Sequence, residues 1–437
     1  VAFVSFSCNK IPADWPHPME YARAFTVDVQ RNPNPRGNPM KRLLSVMVLG
    51  ALMNAPAAFA AVSEELVQQL LDRLEAQEKR IAELEKATQK TQDEVAEQKQ
   101  VVAKATAQPA VAAPAASSWT DKVSLKGDLR VRYENIDDES ATDERNRERI
   151  RARLGVIARP QDNLELGLGL TTTDNNDPRS SNQTIGNGNS SKEFALDLAY
   201  FRWTVLQGLN ISGGKFQNVL YRPGQQGLLW DSDWNPEGFG LNYVNGPFFA
   251  NAIGVWLESD SNKTEEFTWG GQLGAVIPFA EDARLTAGVG YYNFNTEGKG
   301  AFYGSATNFL GNSYDPLTNT FLYNYEEIEA FAELGLKVAG LPLGIYAEFV
   351  KNTDADEYDT GWVAGAQLGA AKARGSWQIS YAYQDLEADA VYAGLTDSDF
   401  AGGKTDNKGH RLQGAYALSD KWNVALTYLM NEAAVDT

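Results

Sequence analysis

Cysteine is almost absent from this chain of 437 residues: there is one, Cys8, so no disulfide can form within the chain. Histidine is nearly as scarce, with His17 and His410 alone. These leave no His/Cys cluster to ligate a metal, and no Gly-rich loop stands between a strand and a helix to cradle a phosphate. A nucleophile with a general base beside it is also missing, because His410 shares a phase with the apolar residues Leu412 and Tyr416. The chain is therefore expected to be no enzyme and to hold no cofactor and no metal. After residue 60 no run of 18 apolar residues occurs, which excludes a membrane-spanning helix there. Positive charge is short as well. The net charge of −18 falls wholly on residues 119–437, which does not suit nucleic acid as a partner.

What residues 119–437 do contain is alternation. In VSLKGDLRVRYEN, Val123, Leu125, Leu129, Val131 and Tyr133 fall on one face, and Lys126, Asp128, Arg130, Arg132 and Glu134 on the other. RERIRARLGVIARP repeats the pattern, with Ile150, Ala152, Leu154, Val156 and Ala158 against Arg147, Arg149, Arg151 and Arg153. Side chains of a strand point alternately to opposite faces, so a period of two predicts strands. With this hairpin, fifteen such segments are predicted, mostly near the roughly 9 to 11 residues that a tilted strand needs to cross a bilayer. The segment Phe194 to Val205 shows both phases.

The connections alternate short and long. Short ones, such as Asn245 to Pro247 and Leu418 to Lys421, are followed by long Gly-, Asn- and Asp-rich ones, such as Thr173 to Lys192, Leu220 to Glu237 and Leu386 to Asp406. Tight turns at one end and long loops at the other are expected of an antiparallel, up-and-down transmembrane β-barrel of about 16 strands, with the turns in the periplasm. Aromatic residues near strand ends suit two interfacial girdles, among them Tyr200, Phe201, Trp203, Phe249, Trp256, Tyr292 and Tyr381.

Ahead of the barrel, the chain changes character three times. Residues 1–39 are proline-rich and aperiodic, and read as an over-extended upstream segment. MKRLLSVMVLGALMNAPAAFA, 40–60, has the basic start, short apolar core and Ala-Phe-Ala end of a secretory signal peptide. From 61 to 102 the period becomes seven, with Val67, Leu70, Leu74, Ile81 and Leu84 on the seam of an α-helical coiled coil and a candidate oligomerisation face. Residues 103–118 form an Ala/Pro linker.

This layout, with LDLAYFRWTV (196–205), SGGKFQN (212–218) and LLWDSDWNPEG (228–238), resembles the "putative porin" family of Gram-negative outer membranes. It is also similar to phosphate-selective porins that carry a periplasmic coiled coil. The resemblance implies a homotrimeric, water-filled diffusion channel in the outer membrane, contacting lipid and lipopolysaccharide and passing small hydrophilic solutes or ions. Barrels of this kind have an even strand count and end in an aromatic residue. Because the chain ends NEAAVDT, a sixteenth strand is expected to be missing.

The arginine face cannot stand against lipid, where each Arg costs roughly 2 to 4 kcal/mol near the midplane. Arg130, Arg132, Arg147, Arg149, Arg151, Arg153, Lys126 and Asp128 are thus the candidate pore-lining residues. Two arrangements stay open: a transverse field against an acidic loop, or a free ladder that concentrates anions. The third outer loop supplies Asp231, Asp233 and Glu237 as candidate constriction residues. It either folds into the lumen or lies outside, binding divalent ions or lipopolysaccharide. The alternative function is structural: a barrel tethered to peptidoglycan by its periplasmic coiled coil.

Overall fold

The computed structural model describes residues 2–9, Lys86 and 122–435, except 140, 175–176 and 261–264. The chain divides into two compact units, Val1–Ala22 with Ser118–Thr437, and Arg23–Ser117. Lys86 apart, the predicted signal peptide, coiled coil and linker lie outside the described residues.

The first unit is a closed antiparallel barrel of sixteen strands. They are β1 (Ala2–Asn9), β2 (Val123–Ile136), β3 (Arg145–Gln161), β4 (Leu164–Thr172), β5 (Phe194–Leu206) and β6 (Leu209–Lys215). Next come β7 (Glu237–Asn245), β8 (Phe248–Glu258), β9 (Glu266–Ala280), β10 (Ala283–Phe294) and β11 (Tyr325–Val338). The circuit finishes with β12 (Leu341–Asn352), β13 (Thr360–Gly369), β14 (Trp377–Leu386), β15 (Asn407–Ala417) and β16 (Trp422–Ala433).

All fifteen predicted strands are present. The sixteenth is not missing: β1 fills its place, pairing antiparallel with both β16 and β2, with Val4 opposite Leu426 and Tyr133. The reading of 1–39 as a segment apart from the barrel is thereby corrected for residues 2–9. Only eight residues long and followed by prolines, AFVSFSCN is a weak signal beside its neighbours.

Alternation sets the faces as expected. Leu125, Leu154, Leu168, Leu273 and Val289 are outward and more than half exposed, while Asp128, Arg132, Glu134, Arg149 and Arg151 are buried inside. An apolar outer band this continuous suits lipid. Leu168→Arg, in the middle of β4, is expected to destabilise the barrel by about 2–4 kcal/mol in urea titrations in lipid vesicles.

The two phases of Phe194–Val205 have a local cause. Gly169 pairs with Leu198 but Leu170 with Leu196, so Asp197 is an extra residue in a β-bulge. Phe194 and Leu196 face out before it, Phe201, Trp203 and Val205 after it. At the turn end, Ala339 and Gly340 both have positive φ (49° and 80°), the signature of the two-residue hairpin that joins β11 to β12. The aromatic girdles form in part: Trp203, Phe248, Trp377 and Trp422 lie near the short turns, and Trp256, Phe267 and Trp362 near the long loops. Tyr200 and Tyr292, expected in the girdles, are instead interior and buried. Phe249 is interior too, its ring 5.9 Å from that of Tyr221.

The long connections at the other end are L1 (137–144), L2 (173–193), L3 (216–236), L4 (259–265), L5 (295–324), L6 (353–359) and L7 (387–406). An apolar core lies inside the barrel, where Leu220, Leu228 and Trp230 of L3 and Tyr392 and Leu395 of L7 pack with Tyr292 and Phe294 of β10.

Candidate functional site

L3 is held within the barrel from both sides. Against the β9–β12 wall, the Tyr221 hydroxyl donates to Glu333 at 2.7 Å and the Gly224 N–H to the same carboxylate at 2.9 Å. Gln272 brackets the Tyr221 backbone, accepting from its N–H at 2.7 Å and donating to its carbonyl at 2.9 Å. Gly224 is required here: at φ 58° its Cα abuts Tyr346, and a Cβ would lie 2.3 Å from that ring.

Opposite, the loop meets the arginine wall. Arg151 donates to Asp128 at 3.0 Å and, through Nη1, to Asp233 of L3 at 3.1 Å. Arg153 shares both carboxylates, reaching Asp233 at 3.5 Å. Asp233 also accepts from the Ser181 hydroxyl of L2 at 2.7 Å. Burial opposes ionisation of Asp233, but Arg151, Arg130 and Arg153 outweigh it and hold the carboxyl well below its usual range.

L7 repeats the arrangement with the same three residues. Asp231-Ser232-Asp233 in L3 and Asp397-Ser398-Asp399 in L7 each close a turn in which the first aspartate accepts from the N–H of the second, at 2.8 Å in both. The second aspartate then reaches the wall. Asp399 takes Arg132 bidentately at 2.7 and 2.8 Å, and this pairing overcomes burial to hold its carboxyl well below the usual range. The turns touch: the Ser398 N–H donates to Asp231 at 2.8 Å and the Asp397 N–H to the Gly227 carbonyl at 2.9 Å. Asp397 is paired with Arg411 of β15.

The other predicted residues fall as follows. Arg147 and Arg132 pair with Glu134, and Arg149 lies 3.6 Å from it while donating to the Asn182 carbonyl at 3.1 Å. Arg130 donates to the Asn182 side chain. Lys126 shares this wall but is exposed. Glu237 does not reach the arginine wall. It opens β7 on the outward phase of Phe239, is 64% exposed, and pairs with Lys215 at 2.8 Å. Where L2, L3 and L7 meet β2 and β15 lies a cavity of about 90 Å³ lined by Arg130, Arg179, Arg222 and Arg411 and by Asp231, Asp233, Asp397 and Asp399. Arg179, Arg222, Arg411 and both L7 aspartates escaped the sequence reading. The repeated Asp-Ser-Asp triplet was the available signal. Among the described residues, no group of three or more His, Cys, Asp or Glu is placed to hold a metal ion.

A closed sixteen-stranded barrel with a lipid-type outer band and charged loops folded inward defines a porin-type β-barrel of the outer membrane. The chain belongs to the family described as "Putative porin", whose model matches residues 136–322 and 310–435. No curated protein matches its sequence. Similar solved structures include OprB of Pseudomonas putida at high pH, with 14% identity, 71% of this chain and 92% of that chain covered, and a TM-score of 0.44. OmpF of Salmonella typhi in complex with daunomycin has 11% identity, covers 72% and 99%, and has a TM-score of 0.42. A loop L8 deletion mutant of OmpT of Vibrio cholerae has 12% identity, covers 71% and 100%, and has a TM-score of 0.40.

Proposed function

We propose that the barrel is a passive diffusion channel for small hydrophilic solutes and ions, narrowed to an eyelet where L3 and L7 meet the arginine wall. One observation carries the reading: L3 lies inside the barrel with Asp233 against Arg151 and Arg153. It favours the transverse eyelet over a free ladder, because Arg132, Arg151 and Arg153, which would otherwise concentrate anions, have carboxylate partners from the loops. It also argues against an exposed third loop that binds divalent ions or lipopolysaccharide. Assembly as a homotrimer, aided by the heptad face of Val67, Leu70, Leu74, Ile81 and Leu84, belongs to the same reading, as does a periplasmic place for that helix.

Planar-bilayer recordings test it. Steady conductance steps are expected, whereas a barrel serving only as a peptidoglycan tether would give none. In a Cys8→Ser background, Tyr221→Cys with Gln272→Cys should be joined by a short thiol-reactive linker, since the Gln272 amide touches the backbone of residue 221. Absence of the cross-link in folded protein would place L3 outside the lumen and overturn the eyelet.

A further inference from the structure

We propose that the cavity at the constriction is a binding subsite for small oxyanions, carboxylate or phosphate, gripped between Arg130 of β2 and Arg222 of L3. The proposal rests on the channel reading and names the solute class of its eyelet.

The basis is the state of each charge around the cavity. Arg179 is paired with Asp177, Arg411 with Asp397, Asp399 with Arg132, and Asp233 with Arg151 and Arg153. Two cations are left over. Among the described residues, Arg130 donates only to the Asn182 side chain, and its buried Nε has no partner. Among the same residues, Arg222 donates to the Trp230 carbonyl at 3.2 Å and to the Gln225 side chain at 3.5 Å, and to no carboxylate. Both line the same cavity. A guanidinium keeps its proton, and its planar fork matches the paired oxygens of a carboxylate or phosphate. Chloride offers no such pair of acceptors, so the subsite distinguishes oxyanions from simple halides by geometry as well as by charge.

Asp231 is the counterweight. Among the described residues it forms no ion pair within the cavity it lines, its oxygens taken by the N–H groups of Asp233 and Ser398. Facing it are Asp233 and Arg222 from L3, Asp397 and Asp399 from L7, Arg179 from L2, Tyr303 from L5, Arg130 from β2 and Arg411 from β15. Burial first, then Asp397 and Asp233, push its carboxyl well above the usual range. The sign follows: raising the pH through that carboxyl adds negative charge beside the anion and weakens its hold, and lowering the pH strengthens it.

Single-channel recordings on the full chain in potassium chloride test the subsite, with potassium phosphate or potassium acetate added in turn. Both anions should reduce the chloride current saturably. Arg130→Gln and Arg222→Gln should each weaken that block by about tenfold, as losing charge-assisted hydrogen bonds does. Arg222→Lys, which keeps the charge but not the fork, should fall between. The pH arm uses acetate, whose charge is constant between about pH 6 and 9, and block should weaken with rising pH in the wild type but not in Asp231→Asn. Steady current in each variant reports a folded barrel. Unchanged block in the Arg130→Gln and Arg222→Gln channels overturns the subsite, as does a conducting wild type that neither anion blocks. A protein with no steady conductance overturns the channel reading instead.

Discussion

Replacing Arg130, Arg149 and Arg151 together with Ala is expected to turn the channel toward cations and to raise its conductance. Three positive charges leave one wall, while Asp128, Asp233 and Glu134 stay behind with fewer partners. Arg151 is the most consequential of the three, because it bridges Asp128 of the wall to Asp233 of the loop. Removing one partner of a buried ion pair costs about 3–5 kcal/mol, since the other charge is stranded. L3 should answer by loosening on that side, although Gln272 and Glu333 still hold its other flank. Reversal potentials in a salt gradient measure the change in selectivity, and step size measures the widening. Unchanged values of both would mean that the arginine face does not border the path of the ions.

The mirror-image change is Asp233→Asn with Asp399→Asn, expected to swing the same channel strongly toward anions. Each aspartate discharges part of the wall: Asp233 serves Arg151 and Arg153, and Asp399 takes Arg132 bidentately. The amide replacements keep the side-chain shape and leave those guanidinium groups without their loop carboxylates. Mild acid should not imitate the variant. Both carboxyls are held below their usual range by the arginines, so docking of the loops is stabilised at every pH above that range and fails only as the pH falls through the lowered values. Once Asp231 is protonated, below about pH 6, the wild type should therefore stay well short of the double variant's reversal potential down to about pH 4, where free carboxylates are already being protonated. A wild-type channel that drifts to the double variant's reversal potential by that pH would show that the wall does not hold these aspartates.

Legibility in the sequence follows the physical strength of each signal. Strands with lipid on one side and charge on the other must alternate, so fifteen of them could be read directly, and the arginine face with them. β1 could not, because eight residues ahead of a proline-rich stretch gain their meaning only from the neighbours Leu426 and Tyr133. At Asp197 a bulge reversed the alternation, which periodicity registers only as two overlapping phases. L3 was accessible through its place as third outer loop and its Asp and Trp residues. L7 offered only its Asp-Ser-Asp triplet: the rest of its Ala-, Gly- and Asp-rich composition resembles any surface loop, and what turns it inward is tertiary. Asn312 of L5 donates to the carbonyls of Ala388 and Val391 at 2.7 and 2.9 Å and accepts from the Ala393 N–H at 2.9 Å. Glu237 shows the converse limit, since a charge one residue past a loop follows the phase of its strand.

The apolar core inside the barrel also imposes an order of events during folding. Trp230, Leu395 and Tyr392 have nowhere to bury themselves until the strands have closed around them, because the wall they pack against includes Tyr292 and Phe294 of β10. Insertion and ring closure are therefore expected first, driven by the outer band and the bilayer, with inward collapse of the loops as a second, water-excluding step. The expected intermediate is an empty cylinder, and heating should retrace that path, melting the interior before the wall.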